Sequence, residues 1–360
     1  MNEIPQNFSR RRWLQTTGGG LGAVGLANLL RAAPGAQPHR EARAKRVIHL
    51  FMNGGPYQGD LFDPKPALTK HAGDRPREVE LRTERKTAGI LPSPFKFTSQ
   101  GQSGVPVSEL LPRLGGVIDD ICVLRSLHSD NPNHGPALLM MNNGTITPTV
   151  PSMGAWTLYG LGTENANLPG YVVLCPGRPV RFSVLWNSAF LPAHYQGTYV
   201  NHSKLNPHEM IPNLKNADLG SQAQLRQLAL MKKLNQRHLA GRGPDADLEA
   251  RLASMETAFR MQFEASEAFD LSGEPESVRE EYGEGHFANG CLLARRLAER
   301  GVRFTQVYYG DGQPWDTHRN HNEVGRKHCR NIDQPIAALL TDLKRRGLLE
   351  DTLVIWGGEF

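Results

Sequence analysis

The chain has 360 residues, of which 39% are hydrophobic, with 41 Lys and Arg against 36 Asp and Glu. Residues 1–33 hold four Arg and one Glu, which accounts for +3 of the formal charge of +5 and leaves +2 on the rest. A net charge this small excludes a basic surface for binding nucleic acid. The four Cys lie far apart in the sequence, which at this chain length excludes a fold held together by disulfides.

The N-terminus carries the pattern of a twin-arginine export signal. Arg10 and Arg11 precede an uncharged run, rich in Gly, Ala and Leu, over 18–30. This run is too short and too rich in glycine for a bilayer-spanning helix of about 20 apolar residues. We predict that residues 1–36 are a signal peptide and tether read by the twin-arginine translocon. The mature protein would then be periplasmic or extracellular, without an integral membrane segment. An amphipathic or loosely anchoring N-terminus is the alternative.

Strands and helices alternate along the rest of the chain. Strands are predicted at 46–52, 121–127, 170–175, 302–308 and 352–356, and helices at 110–117, 133–141, 221–270 with a break at 241–244, 287–300 and 331–346. This alternation predicts an α/β fold, a mostly parallel sheet with helices on both faces. We expect one domain over 46–360 with a loop-rich insert at 176–220. Because the chain stops four residues after its last strand, we expect the C-terminal part to be missing.

Polar residues that follow the predicted strands are the first candidates for chemistry. Asp60 follows the first strand, Asp316 and His318 follow the strand at 302–308, and Glu359 follows the last. The carboxyl ends of parallel strands meet at one edge of a sheet. Carboxylates and imidazoles there are the ligand set of a divalent cation such as Zn²⁺, Mn²⁺, Ca²⁺ or Mg²⁺. We therefore predict that these four residues bind a metal ion, with a turn residue as the alternative for Asp60.

A second group follows the predicted strand at 121–127. His128, Asn131, Asn133 and His134 lie at or before a helix N-terminus, where backbone N–H groups favour an anion. We expect a sulfate or phosphate group there, with His128 and Asn131 binding substrate and Asn133 and His134 acting in catalysis. Simple N-capping by Asn131 or Asn133 is a compatible alternative, and His128 could equally be a structural strand-end histidine.

Several motifs resemble known families. The helix, turn and strand at 337–356, with the following Gly-Gly-Glu-Phe, resemble the alkaline phosphatase and sulfatase superfamily, with Glu359 where an Asp is usual. From about residue 46 onward, the chain more specifically resembles the exported family called domain of unknown function 1501. The motifs that carry this resemblance include Asn-Gly-Gly-Pro at 53–56, His-Ser-Asp-Asn-x-Asn-His at 128–134, Trp-Asp-x-His at 315–318 and Gly-Gly-Glu-Phe at 357–360.

The resemblance implies an alkaline phosphatase-like core and a metal-dependent hydrolase of sulfate or phosphate esters, acting on a small molecule or a glycan. The chain has no Cys-x-Pro-Ser-Arg motif, and the position that matches the sulfatase nucleophile falls near His134. Ordinary sulfatase chemistry is therefore not implied. The alternative is a binding or cell-surface interaction protein that keeps the fold without turnover, with the insert at 176–220 as its contact surface.

Overall fold

Five parallel strands form the central sheet in the described part of the chain. They are β1 (Arg46–Phe51), β4 (Tyr171–Leu174), β5 (Thr198–Val200), β6 (Phe304–Tyr308) and β7 (Thr352–Gly357), and their order across the sheet is β5-β4-β6-β1-β7. A separate antiparallel pair is formed by β2 (Phe97–Gln100) and β3 (Val105–Ser108). The computed structural model describes residues 42–75, 89–129, 131–212, 214–216, 218–243 and 245–359. Arg10, Arg11 and the predicted signal over 1–36 lie outside these residues.

Helices cover both faces of the sheet. They are α1 (Pro66–Lys70), α2 (Pro112–Gly115), α3 (His134–Asn143), α4 (Met153–Leu161), α5 (Pro207–Met210), α6 (Ser221–Arg242), α7 (Ala246–Ala268), α8 (Glu276–Tyr282), α9 (His286–Glu299) and α10 (His321–Arg345). Within the described ranges, none of these helices is long and apolar enough to cross a membrane.

The two faces of the sheet bury two separate apolar cores. Successive strand side chains point to opposite faces, and β4 shows the result: Val172 and Leu174 join one core, while Tyr171 and Val173 join the other. The first core includes the apolar stripes of α9 and α10, and the second includes buried residues of α3 and α4. Because both faces are covered, the central strands are rich in buried apolar residues, as is usual in parallel sheets, although His49, Thr305 and Gln306 are buried polar exceptions. The predicted α/β class is confirmed, and the parallel sheet is consistent with the expected alkaline phosphatase-like core.

Three predicted elements differ in the structure. Residues 121–129 form no strand, and Leu124 and Leu127 are exposed, so an apolar run without a neighbouring strand stays irregular. The helix predicted at 110–117 shrinks to α2, and α10 begins at His321 instead of 331. The first turns of α10 are mostly polar and exposed, which removes the apolar periodicity that would have revealed them.

Candidate active site at the carboxyl edge of the sheet

A buried asparagine joins the loops that follow β1 and β6. Asn53 is fully buried, and its Nδ2 donates to the carbonyl oxygens of Gly310 and Gly312 at 2.9 and 2.6 Å. The backbone N–H of Trp315 in turn donates to the Asn53 carbonyl at 3.3 Å. These bonds fix the loop that carries Asp316 against the end of β1.

Gly54 allows three loops to meet. Its φ of +98° is rare for residues with a side chain, and a Cβ there would lie 2.6 Å from the backbone N of Asp316. Its backbone N–H donates to Glu359 Oε1 at 2.6 Å. A Cβ on Gly358 would likewise lie 2.6 Å from the Met52 carbonyl oxygen. The glycines therefore let Asp316 and Glu359 approach each other across the end of β1.

His134 bridges these two carboxylates. It is the first residue of α3, and its Nδ1 lies 3.0 Å from Glu359 Oε1 while its Nε2 lies 3.2 Å from Asp316 Oδ2. Burial lowers the pKa of His134, but the hydrogen bonds and negative charges of Glu359 and Asp316 outweigh burial, so the pKa is raised above its usual value. His318 adds a contact from its Nε2 to Asp316 Oδ2 at 2.6 Å. The structure thus brings together three predicted metal ligands and the predicted catalytic histidine.

Asp60 belongs to a second pair at the same edge. His321 Nε2 lies 2.7 Å from Asp60 Oδ2, and its Nδ1 lies 2.6 Å from the Thr317 hydroxyl. The simplest assignment has His321 donate from Nε2 to the carboxylate and accept from Thr317 at Nδ1. Because Thr317 directly follows Asp316, the loop after β6 contacts both histidines: Asp316 contacts His134, and Thr317 contacts His321.

Two carboxylate oxygens at this edge are buried without a hydrogen-bond partner among the residues that the structure describes. They are Oδ1 of Asp60 and Oε2 of Glu359, and the whole residues are 6% and 4% exposed. A buried carboxylate oxygen without a donor is costly unless a cation compensates its charge. The oxygen and imidazole ligands fit a divalent cation by type. Among the described residues, however, no group of three or more His, Cys, Asp or Glu side chains is arranged to hold one.

The predicted anion-binding residues are only partly gathered at the site. Asn131 Oδ1 accepts from the backbone N–H of Asn133 at 3.0 Å, just before α3, and the Asn133 side chain makes no cap hydrogen bond. His128 is exposed in the irregular segment that replaces the predicted strand. Arg181 lies at the site without having been predicted: a Cβ on Gly135 would be 2.9 Å from its Nη2. Arg181 comes from the insert, whose irregular sequence gave no signal of this contact.

A buried network supports the loop that bears Asp316. His328 on α10 lies with Nδ1 2.6 Å from the Tyr309 hydroxyl and Nε2 2.9 Å from the Pro314 carbonyl oxygen. Burial lowers the pKa of His328, so its neutral form is favoured. The Trp315 ring packs on both rings, with centroids 5.3 Å from Tyr309 and 5.0 Å from His328. Sequence analysis missed this network because it depends on the unpredicted first turns of α10.

Comparison with known proteins gives one match. The model of a family described as "Protein of unknown function (DUF1501)" matches residues 44–360, a range that includes the whole sheet and the site. The searches of curated proteins and of solved structures found no match.

Proposed function

Since this chain belongs to the DUF1501 family, we propose that the cluster at its sheet edge is the active site of a metal-dependent hydrolase of sulfate or phosphate esters. The observation that carries the proposal is the pair of buried carboxylate oxygens on Asp60 and Glu359 that have no hydrogen-bond partner within the described part of the chain. They lie at the carboxyl edge of a parallel sheet, where α/β proteins bind their ligands.

We propose that Asp60, Asp316, His318 and Glu359 hold a divalent cation, namely Zn²⁺, Mn²⁺, Ca²⁺ or Mg²⁺. The contacts of Asp316 and Glu359 with His134, and of Asp60 with His321, pre-position the three carboxylates, as supporting contacts do in metal sites. When bound, the cation supplies positive charge that stabilises an ester oxygen as negative charge develops on it.

His134 is proposed to handle the proton. His134 lies between the Asp316 and Glu359 carboxylates, and in its protonated form it can donate a proton to the leaving oxygen of the ester. It also begins α3, whose first backbone N–H groups and positive dipole end favour the anionic ester. The Asn133 side chain, exposed at the N-cap position and without a cap hydrogen bond, can donate to the same anion.

The test is turnover of aryl sulfate and aryl phosphate esters by the full chain, with Zn²⁺, Mn²⁺, Ca²⁺ or Mg²⁺ added. His134→Gln should lower kcat by roughly 10²–10⁴-fold, the usual contribution of a general acid. The matched control is His71→Gln, at a half-exposed histidine paired with Asp74 on the surface, which should keep wild-type kcat. Equal kcat in His134→Gln and wild type would contradict the assigned role.

A binding protein without turnover is the second candidate function. Both ring nitrogens of His134, the residue near the sulfatase nucleophile position, are engaged by carboxylates, which favours this reading. Absence of turnover with every ester and metal, together with saturable binding of inorganic sulfate or phosphate, would support this candidate over the hydrolase.

We also propose that the protein is exported by the twin-arginine route and acts in the periplasm or outside the cell. The double substitution Arg10→Lys and Arg11→Lys should leave a folded precursor in the cytoplasm, as measured by cell fractionation. Unchanged export of the double variant would contradict this proposal.

A further inference from the structure

A row of exposed aromatic side chains lies on α4 and the neighbouring insert. Trp156, Tyr159 and Phe190 are 40%, 43% and 65% exposed. The ring centroids are 5.9 Å apart for Trp156–Tyr159, 5.7 Å for Trp156–Phe190 and 5.4 Å for Tyr159–Tyr195, all edge to face. We call these four residues the aromatic row. Exposed apolar patches of this kind mark interaction sites.

An open cavity of about 440 Å³ lies in the same insert. Phe182 and Tyr199 line it, together with Ser183, Gln196 and Thr198, while the Trp186 ring in its wall is buried. The volume falls in the range of small-molecule pockets, about 300–1,000 Å³. Gln196 directly follows Tyr195, so the cavity adjoins the aromatic row along the chain. Rings flanked by polar groups suit a ligand with both apolar faces and hydrogen-bonding edges.

The cavity also connects to the candidate active site. Phe182 in its wall directly follows Arg181, whose guanidinium lies against Gly135, the residue after His134. Arg181 adopts a left-handed φ of +69°, and its side chain is exposed. Arg181 therefore lies between the helix start that bears His134 and the part of the insert that lines the cavity.

Apart from Arg181 and Arg178, whose guanidinium lies 5.0 Å from the centroid of the Phe182 ring, the segments that build the surface of the cavity and the aromatic row are uncharged. Neither segment that builds it, 135–163 and 182–203, contains any Asp, Glu, Lys or Arg. Nucleic acid and anionic lipid both require clustered cations, so neither matches this surface. A sugar chain does match it, because each ring offers an apolar C–H face to an aromatic ring and hydroxyl groups to polar side chains. Arg181, whose guanidinium lies against Gly135 beside His134, suits a single anionic substituent.

We propose that the aromatic row and the cavity bind the sugar chain of a glycan, and that Arg181 directs its sulfated or phosphorylated unit toward His134. Only the part of this inference that concerns Arg181 rests on the proposed ester hydrolysis. Binding of the sugar chain by the aromatic row is a separate property and is measured without turnover.

The experiment is affinity gel electrophoresis of the full chain through gels containing dextran, κ-carrageenan, fucoidan or chondroitin sulfate. We expect at least one polysaccharide to retard the wild type. The double variant Trp156→Ala and Tyr159→Ala should bind it at least about tenfold more weakly, because each ring loses apolar contact. Trp156→Phe, which keeps a ring, should retain most of the binding. The control Leu230→Ala, at a residue 58% exposed on α6, should bind like the wild type.

The outcomes separate this inference from the hydrolase proposal. If the double variant loses retardation while Trp156→Phe and Leu230→Ala keep it, the result supports glycan binding, whether or not any ester is hydrolysed. If hydrolysis occurs, the double variant should keep its kcat/KM on a small aryl ester while losing activity on the polymer. Retardation by none of the four polysaccharides, or equal retardation of the double variant, would overturn the inference. Concentration-dependent dimerisation that the double variant abolishes would overturn it too, by assigning the row to a contact between copies.

Discussion

Replacing Gly54 by Ala would place a methyl group 2.6 Å from the backbone N of Asp316 and 2.9 Å from the Gln313 carbonyl oxygen. Neither atom is at the end of a flexible side chain, so the loop after β6 would have to shift. Holding a side-chain-bearing residue at the φ of +98° costs about 1–3 kcal/mol. Distorting the charged hydrogen bond from the Gly54 N–H to Glu359 costs about 1.5–3 kcal/mol more. We expect a total loss of about 4 kcal/mol.

Gly312 in the same loop offers a matched control. Its φ is +59°, but a Cβ there would have no heavy atom within 4 Å. Gly312→Ala should therefore incur only the left-handed backbone strain of about 1–2 kcal/mol. Urea denaturation of wild type and both variants measures the difference, expected to be about 2–3 kcal/mol. Equal destabilisation by the two substitutions would refute the reasoning that close approach at Gly54 holds the site together.

Two further predictions concern buried charged and titratable groups. Burial lowers the pKa of His49 from 6.5 to about 4, so the folded state favours the neutral ring. The stabilisation that this neutral ring contributes is complete above pH 6.5, and the free energy of unfolding declines by up to about 3 kcal/mol as the pH falls to 4. His49→Leu should flatten that part of the pH profile in urea titrations; an unchanged profile would contradict the assignment. Arg295, on α9, pairs with the buried carboxylates of Glu274 and Asp342, so Arg295→Met should cost about 3–5 kcal/mol in urea denaturation. Lys344→Met, which breaks an exposed pair, should cost at most about 1 kcal/mol, and similar losses in the two variants would disprove the difference.

The sequence predicts the core of the fold well where strands are buried on both faces. The strands predicted at 46–52, 302–308 and 352–356 match β1, β6 and β7 within one or two residues, because their apolar runs end in glycine, polar or charged residues. The break in the helical segment at 221–270 also appears, between α6 and α7. The short β5 escapes prediction because three residues inside a loop-rich insert give no periodic signal.

The sequence predicts at which edge of the sheet the candidate site lies, but it does not predict which side chains of the site contact each other. Asp316 and Glu359 can be placed together from strand order alone, since parallel strands end on one side. That His134 bridges them depends on where α3 begins in space, and that His321 pairs with Asp60 depends on how the loop at 309–320 folds back. These loop conformations are set by buried contacts, such as those of Asn53, that no local pattern encodes.

The metal content of the purified full chain tests the central claim most directly. After incubation with Zn²⁺, Mn²⁺, Ca²⁺ or Mg²⁺ and exhaustive dialysis, elemental analysis of the wild type should find roughly one ion per chain. Asp316→Asn and Glu359→Gln should each lower that content, whereas Asp120→Asn, at an exposed acid paired with Lys344, should not. Equal metal content in the wild type and all three variants, or no retained metal in the wild type, would contradict a cation site at this edge of the sheet.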